Sequence, residues 1–123
     1  MSRVKSKNTS PELLVGSLLR SLGFNYRLHV KTLPGTPDFS NKRRKKAIFV
    51  HGCFWHRHPG CKRATMPVSN VNYWTTKFFR NVTRDQSHIA AYARLGWVPL
   101  IVWECETANE EELKTKLAEY LLA

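Results

Sequence analysis

Apolar positions along the chain change period several times, and each change predicts an element. Between Pro11 and Leu22 they recur at Leu14, Leu18 and Leu22, with Leu13, Val15 and Leu19 widening the stripe. That spacing predicts an amphipathic helix. Thr9-Ser10-Pro11-Glu12 has the form of its start, with a hydroxyl cap, an early proline and a first-turn acid. Thr9 and Glu12 also fit a capping box, and Gly23 is the stop. Phe24–His29 alternates and predicts a strand. Leu33–Pro37 reads as a turn, Asp38-Phe39 as a short strand, and the cationic run Lys42–Lys46 as a hairpin tip. Ala47-Ile48-Phe49-Val50 is continuously apolar, the pattern of a buried strand.

Past Val50 the pattern breaks at Gly52. The loop that follows delivers Cys53, Phe54, Trp55, His56, His58 and Cys61. Asn72–Leu95 is mostly helical, with Ile89, Tyr92 and Leu95 on one face and a candidate break near Phe79-Arg80-Asn81. Gly96 stops it. Trp97–Trp103 (WVPLIVW) predicts a strand in which Pro99 must sit at an edge or a bulge. Asn109 caps a last helix that turns Leu113, Leu117, Tyr120 and Leu121 inward. The order α-β-β-β-α-β-α predicts one α/β domain over residues 11–123, behind a basic arm over residues 1–10.

Charge sharpens this picture. Residues 1–103 hold 18 Lys and Arg against three acids, Glu12, Asp38 and Asp85; residues 104–123 hold six acids and two lysines. So cationic a body implies a polyanionic partner, nucleic acid before membrane. The three acids read either as scattered surface charges or as carboxylates gathered to hold a divalent metal near phosphates. No apolar run approaches the ~20 residues that span a membrane. The stretch Leu13–Leu22 is interrupted by Gly16, Ser17, Arg20 and Ser21, so it is no signal peptide, and the expected location is cytoplasmic.

An odd cysteine count in a reducing compartment favours metal ligation over disulfides. Cys53, His58, Cys61 and Cys105 make a Cys3His set that uses every cysteine, and a closed zinc site takes four such ligands. The competing reading is three unrelated buried thiols. His51 and His56 are then left over, as a general base or as phosphate or surface contacts. Phe54 and Trp55 are adjacent on a loop and cannot both enter one core. With Tyr73 and Trp74 they read as a wedge that enters a base stack, or as packing around the zinc. Trp97 and Trp103, on a strand, read as core.

Together the segments MSRVKSKNTSPE, LGFNYRLH, LPGTPD, FVHGCFWHRHPGC, RNVTRD and LGWVPLIVWEC resemble the very-short-patch mismatch-repair endonucleases. The resemblance spans nearly the whole chain. It implies a restriction-endonuclease-like fold, a central mixed sheet flanked by helices, with a structural zinc. The implied activity is Mg²⁺-dependent nicking of double-stranded DNA beside a T:G mismatch left by deamination of 5-methylcytosine. Carried over by position, Asp38 is the main Mg²⁺ ligand with the Val50 carbonyl as its partner, and His56 activates the attacking water. His51, Asp85 and Glu12 complete the site; Phe54, Trp55 and Trp74 form the wedge. The resemblance further implies a monomer, functionally linked to a DNA cytosine methyltransferase and a repair polymerase. The chain departs from the family pattern at Pro59-Gly60, where relatives often have one residue, and at Pro99, where the residue is commonly basic. Relatives also usually carry further residues ahead of the position of Met1, part of an arm that grips DNA. The rival readings are a non-catalytic zinc module that binds distorted duplex and a related restriction-type nuclease.

Overall fold

The computed structural model describes residues 10–123, so most of the basic arm and the Thr9 half of the capping box lie outside the described residues. Helix α1 (Ser10–Ser21) buries Glu12, Val15, Gly16, Leu18 and Leu19. That face lies one step round from the expected Leu14–Leu18–Leu22 line. Leu14 and Leu22 are only partly buried, and Leu13 is 58% exposed. Gly16 explains the rotation. A Cβ there would meet the Tyr26 hydroxyl at 3.0 Å and the Phe39 ring at 3.2 Å, so the bare backbone lets the helix lie closely on the sheet along this side.

Four strands follow: β1 (Arg27–Leu28), β2 (Phe39–Asn41), β3 (Lys46–His51) and β4 (Val98–Trp103). They lie side by side in chain order, antiparallel at the first two pairings and parallel at the third. The strand expected over Phe24–His29 shrinks to two residues. Phe24 turns into the core, and His29 adopts φ 49°, which ends the pairing. Asp38 precedes β2 and does not pair within it; its carboxylate accepts the Val50 N–H at 2.7 Å. Pro99 lies on the edge strand, as expected. Val98 donates to Lys45 O, so the next residue faces the open edge and its missing N–H costs no ladder bond.

Alternation along β3 divides the core in two. Ile48 faces α1 and helix α3 (Glu110–Leu122), with Val15, Leu19, Phe39, Val102 and Leu117. Ala47 and Phe49 face helix α2 (Val71–Leu95), where Tyr92 and Ile89 meet them, with Trp97 just past the helix end. The result is the expected mixed sheet with helices on both faces, and His51 continues the α2 side. Helix α2 runs unbroken through Phe79-Arg80-Asn81, against expectation. The Asn81 amide donates to Trp55 O at 3.4 Å and accepts from Arg84 at 2.8 Å. It therefore does not compete for its own helix's backbone.

Asn109 caps α3 by accepting the Glu112 N–H at 3.1 Å, and Leu113, Leu117, Tyr120 and Leu121 are buried as predicted. The cationic hairpin tip is only partly solvated. Arg44 donates to Leu121 O at 2.5 Å and Lys46 to Ala123 O at 3.0 Å. These two cations satisfy carbonyls at the C-terminal end of α3, where positive charge is favoured.

Candidate active site and metal centre

Strand β3 delivers the site, because its alternation sends Val50 and His51 to opposite faces at the same end of the sheet. The Val50 N–H points past the start of β2 to Asp38. In an extended strand the carbonyl of a residue faces the same neighbour as its N–H. The Val50 carbonyl is thereby turned towards the Asp38 side. His51 and His56 stack with ring centroids 3.8 Å apart and planes within 7°. His56 Nδ1 lies 2.7 Å from Asp85 Oδ2 on α2. Asp38, Val50, His51, His56 and Asp85 all line one cleft of about 260 Å³. Gly35, at φ 72°, forms its rim. A Cβ there would meet Phe49 and His88 at 3.0 Å, so this turn needs glycine twice over.

Glu12 stands behind Asp38, with His29 between them. His29 Nε2 is 2.8 Å from Glu12 Oε2 and 3.5 Å from Asp38 Oδ1. Neither contact has the directionality of a hydrogen bond, and both Glu12 Oε2 and His29 Nε2 are buried without a partner. Donors at adjacent corners of an octahedron, about 2.1 Å from an ion, lie about 3.0 Å apart. The unpartnered donors therefore have the spacing a divalent cation requires.

Burial dominates the electrostatics. It pushes the Asp38 carboxyl up to about 6, with Glu12 adding to the rise and the Val50 N–H opposing it. Burial, then the neighbouring His56, lowers His51 to about 4 against the pull of Asp85. His51 is thus a neutral imidazole at physiological pH. The raised Asp38 value has a consequence for stability. An acid with a folded pKa of about 6 against 3.8 unfolded binds its proton more firmly when folded. Without a cation, stability therefore falls as pH rises through that window, by up to about 3 kcal/mol. A divalent ion at this carboxylate should raise the melting temperature more at neutral pH than at about pH 5. An equal shift at both, read by differential scanning calorimetry, would place the ion elsewhere.

The Cys3His set comes together as predicted. The four donor atoms of Cys53, His58, Cys61 and Cys105 lie within 4.8 Å of one another. His58 Nδ1 is 3.7 Å from Cys53 Sγ and 3.4 Å from Cys105 Sγ. Sulfur at about 2.3 Å and nitrogen at about 2.05 Å from a tetrahedral ion lie about 3.6 Å apart, so the group fits a closed four-coordinate site. It ties the ligand loop to the 3₁₀ turn Glu104–Ala108, just past β4. The longer spacer closes as a turn, with Cys61 N–H on His58 O at 3.3 Å and Gly60 at φ 69°. Trp103 is not simply core: it stacks on His58 at 4.2 Å and meets His51 edge-on at 5.3 Å. One indole therefore packs the metal group against the cleft.

On the far side of the same loop Phe54, Trp55 and Trp74 lie 5.1–6.0 Å apart. Phe78 underlies them, 5.3 Å from Phe54 and buried, while Trp55 is 49% exposed. The cluster has a fixed base and a free edge.

A profile of the family described as DNA mismatch endonuclease Vsr matches residues 1–63. The chain belongs to the Vsr family. Full-length relatives agree. The chain is 47% identical over 121 residues to the type II nicking enzyme V.XorIIP of Xanthomonas oryzae, covering 98% of this chain and 88% of that one. It is 36% identical over 126 aligned positions to the DNA mismatch endonuclease Vsr of Escherichia coli, covering 98% and 80%. A third relative, the type II nicking enzyme V.NmeAIP of Neisseria meningitidis, is 36% identical over 117 residues, covering 95% and 83%.

Within this Vsr-family site, sequence reasoning missed His29, His88 and Phe78. The signal for His29 was its place at the end of the LGFNYRLH segment, a short way ahead of the Asp38 motif. An alternating segment reads as a strand, however, and a strand gives no reason for its last residue to turn back on a helix. Phe78 carried the sign of helical spacing to Trp74, four residues earlier.

Proposed function

We propose that this protein is a strand-specific DNA endonuclease that nicks beside a T:G mismatch, using Mg²⁺ for hydrolysis and a structural zinc to hold its ligand loop. The observation that carries the reading is the His56–Asp85 pair opening on the same cleft as Asp38. A DNA-binding module has no use for a base and a half-buried carboxylate that line one cleft. Asp38 and the Val50 carbonyl, with Glu12 behind them, would hold the Mg²⁺, which would supply charge neutralisation at the phosphate and acidify water. Asp85 accepts the Nδ1 proton of His56, which fixes the tautomer and leaves Nε2 free to take a proton from the attacking water. Attack in line breaks the bond from phosphorus to the 3′ oxygen, which gains a proton and leaves a 3′-hydroxyl opposite a 5′-phosphate. A nick of that chemistry can be extended by a repair polymerase, and the mismatch arises where a methyltransferase has modified cytosine. The protein acts as a monomer.

Cys105→Ala is expected to lose the zinc counted by elemental analysis, and with it thermal stability. Metal-free protein that remains fully folded would remove the structural role. The mismatch preference belongs to the aromatic cluster. Unpairing costs least at a mismatch, so an inserted side chain turns that saving into selectivity. Trp55→Ala and Trp74→Ala should lower the ratio of T:G to T:A nicking, measured on matched sets of labelled duplexes. Equal losses on both substrates would make these residues packing around the metal group.

A further inference from the structure

His29 joins Glu12 to Asp38 Oδ1, and of these three residues Asp38 is the one that lines the cleft shared by His51, His56 and Asp85. We propose that His29 is a direct nitrogen ligand, so that Glu12, His29 and Asp38 form a mixed nitrogen and oxygen site that prefers Mn²⁺ to Mg²⁺. This inference rests on the reading of Asp38 as a metal ligand and adds to it a ligand and a preference.

Three observations carry it. The donor atoms of the three residues lie within 4.8 Å of one another. Glu12 is 6% exposed, and its Oε2 has no hydrogen-bond partner although His29 Nε2 is only 2.8 Å away. At this distance an ion pair between an imidazolium and a carboxylate would align the N–H with the oxygen. Here the ring nitrogen is aligned with neither carboxylate, as expected of donors arranged around a shared third atom. Finally, His29 is held at φ 49°, with its N–H 3.4 Å from Asp38 O. The backbone thus turns the imidazole back over the helix, a left-handed conformation that costs free energy in a residue other than glycine.

The donor set decides the ion. Mg²⁺ demands oxygen ligands and gives up water reluctantly, whereas imidazole nitrogen favours first-row transition metals. Two carboxylates and one imidazole therefore weight the site towards Mn²⁺ without excluding Mg²⁺.

The test is Mn²⁺ binding to the zinc-loaded protein without DNA, followed by the electron paramagnetic resonance signal of free Mn²⁺, with Mg²⁺ as competitor. The parent should bind one Mn²⁺ that only a large excess of Mg²⁺ displaces. His29→Gln should weaken Mn²⁺ by at least about tenfold, the order of effect of disturbing a ligand's setting. Its Mg²⁺ affinity should change little, and zinc content and melting temperature would establish that it is folded. His51→Gln should keep the Mn²⁺ site. Unchanged Mn²⁺ affinity in His29→Gln would overturn the proposal, and tighter binding would too, since His29 would then be a fixed cation in the ion's place. Loss of the ion in His51→Gln alone would move it to the His51–His56–Asp85 group and would overturn the proposal as well. Asp38→Ala separates the two levels. If it loses all binding while His29→Gln loses none, Asp38 remains a metal ligand and only the role of His29 fails.

Discussion

Asp38→Ala is expected to leave no detectable nicking at any Mg²⁺ concentration. Asp38 is the one carboxylate that belongs to both halves of the site. Its Oδ2 accepts the Val50 N–H, its Oδ1 faces His29, and its side chain lines the cleft that holds His56. Removing it takes away the charge that holds a cation and leaves the Val50 N–H unpaired, so excess metal cannot restore the site. The fold should survive, because Asp38 precedes β2 and contributes no ladder bond. Zinc content should match the parent, since all four donors of the Cys3His group lie elsewhere. Single-turnover nicking of a labelled mismatched duplex, with zinc measured in parallel, checks both statements.

His56→Ala is expected to lose about 10²–10⁴-fold in nicking rate, the usual worth of a positioned general base. Metal and DNA binding should persist, because Asp38 and the aromatic cluster remain. The His56–Asp85 contact of 2.7 Å means that Asp85→Asn should fall in the same direction, by disturbing the tautomer. In the parent the rate should rise as pH passes about 6, where Asp38 loses its proton and gains the charge that holds a cation, then level off. His51 does not contribute to that rise, since burial holds it down at about 4. Loss of zinc in His56→Ala but not in His58→Ala would mean that the two histidines have exchanged roles.

Much of this was legible in the sequence because local rules and chemistry agreed. The β3 pattern Ala47–Val50 is apolar without interruption, so its burial and the exit of a ligand loop from its end followed directly. Three acids in so cationic a stretch read either as scattered charges or as a gathered set, and all three meet at or behind the cleft. What stayed hidden depends on contacts that local periodicity does not encode. The turn of α1 about its axis follows from Gly16 beneath Tyr26 and Phe39, a close approach made across the sheet. The continuity of α2 follows from Asn81 finding partners at Trp55 and Arg84. The return of His29 over Glu12 depends on one left-handed residue. In each case a tertiary contact chose between local alternatives that the pattern left equal.

Whether one cleft built by β3, the ligand loop and α2 cuts mismatched DNA with a divalent ion can be read from a strand-resolved nicking assay. Duplexes with a single T:G pair and matched T:A duplexes, labelled on each strand in turn, would be incubated with the zinc-loaded protein with and without Mg²⁺. The expected result is a single nick beside the T:G pair, on one strand, only with Mg²⁺, ending in a 3′-hydroxyl and a 5′-phosphate that a DNA ligase can reseal. Tight binding to the T:G duplex with no nick under any of these conditions would contradict it and leave a DNA-binding module in its place.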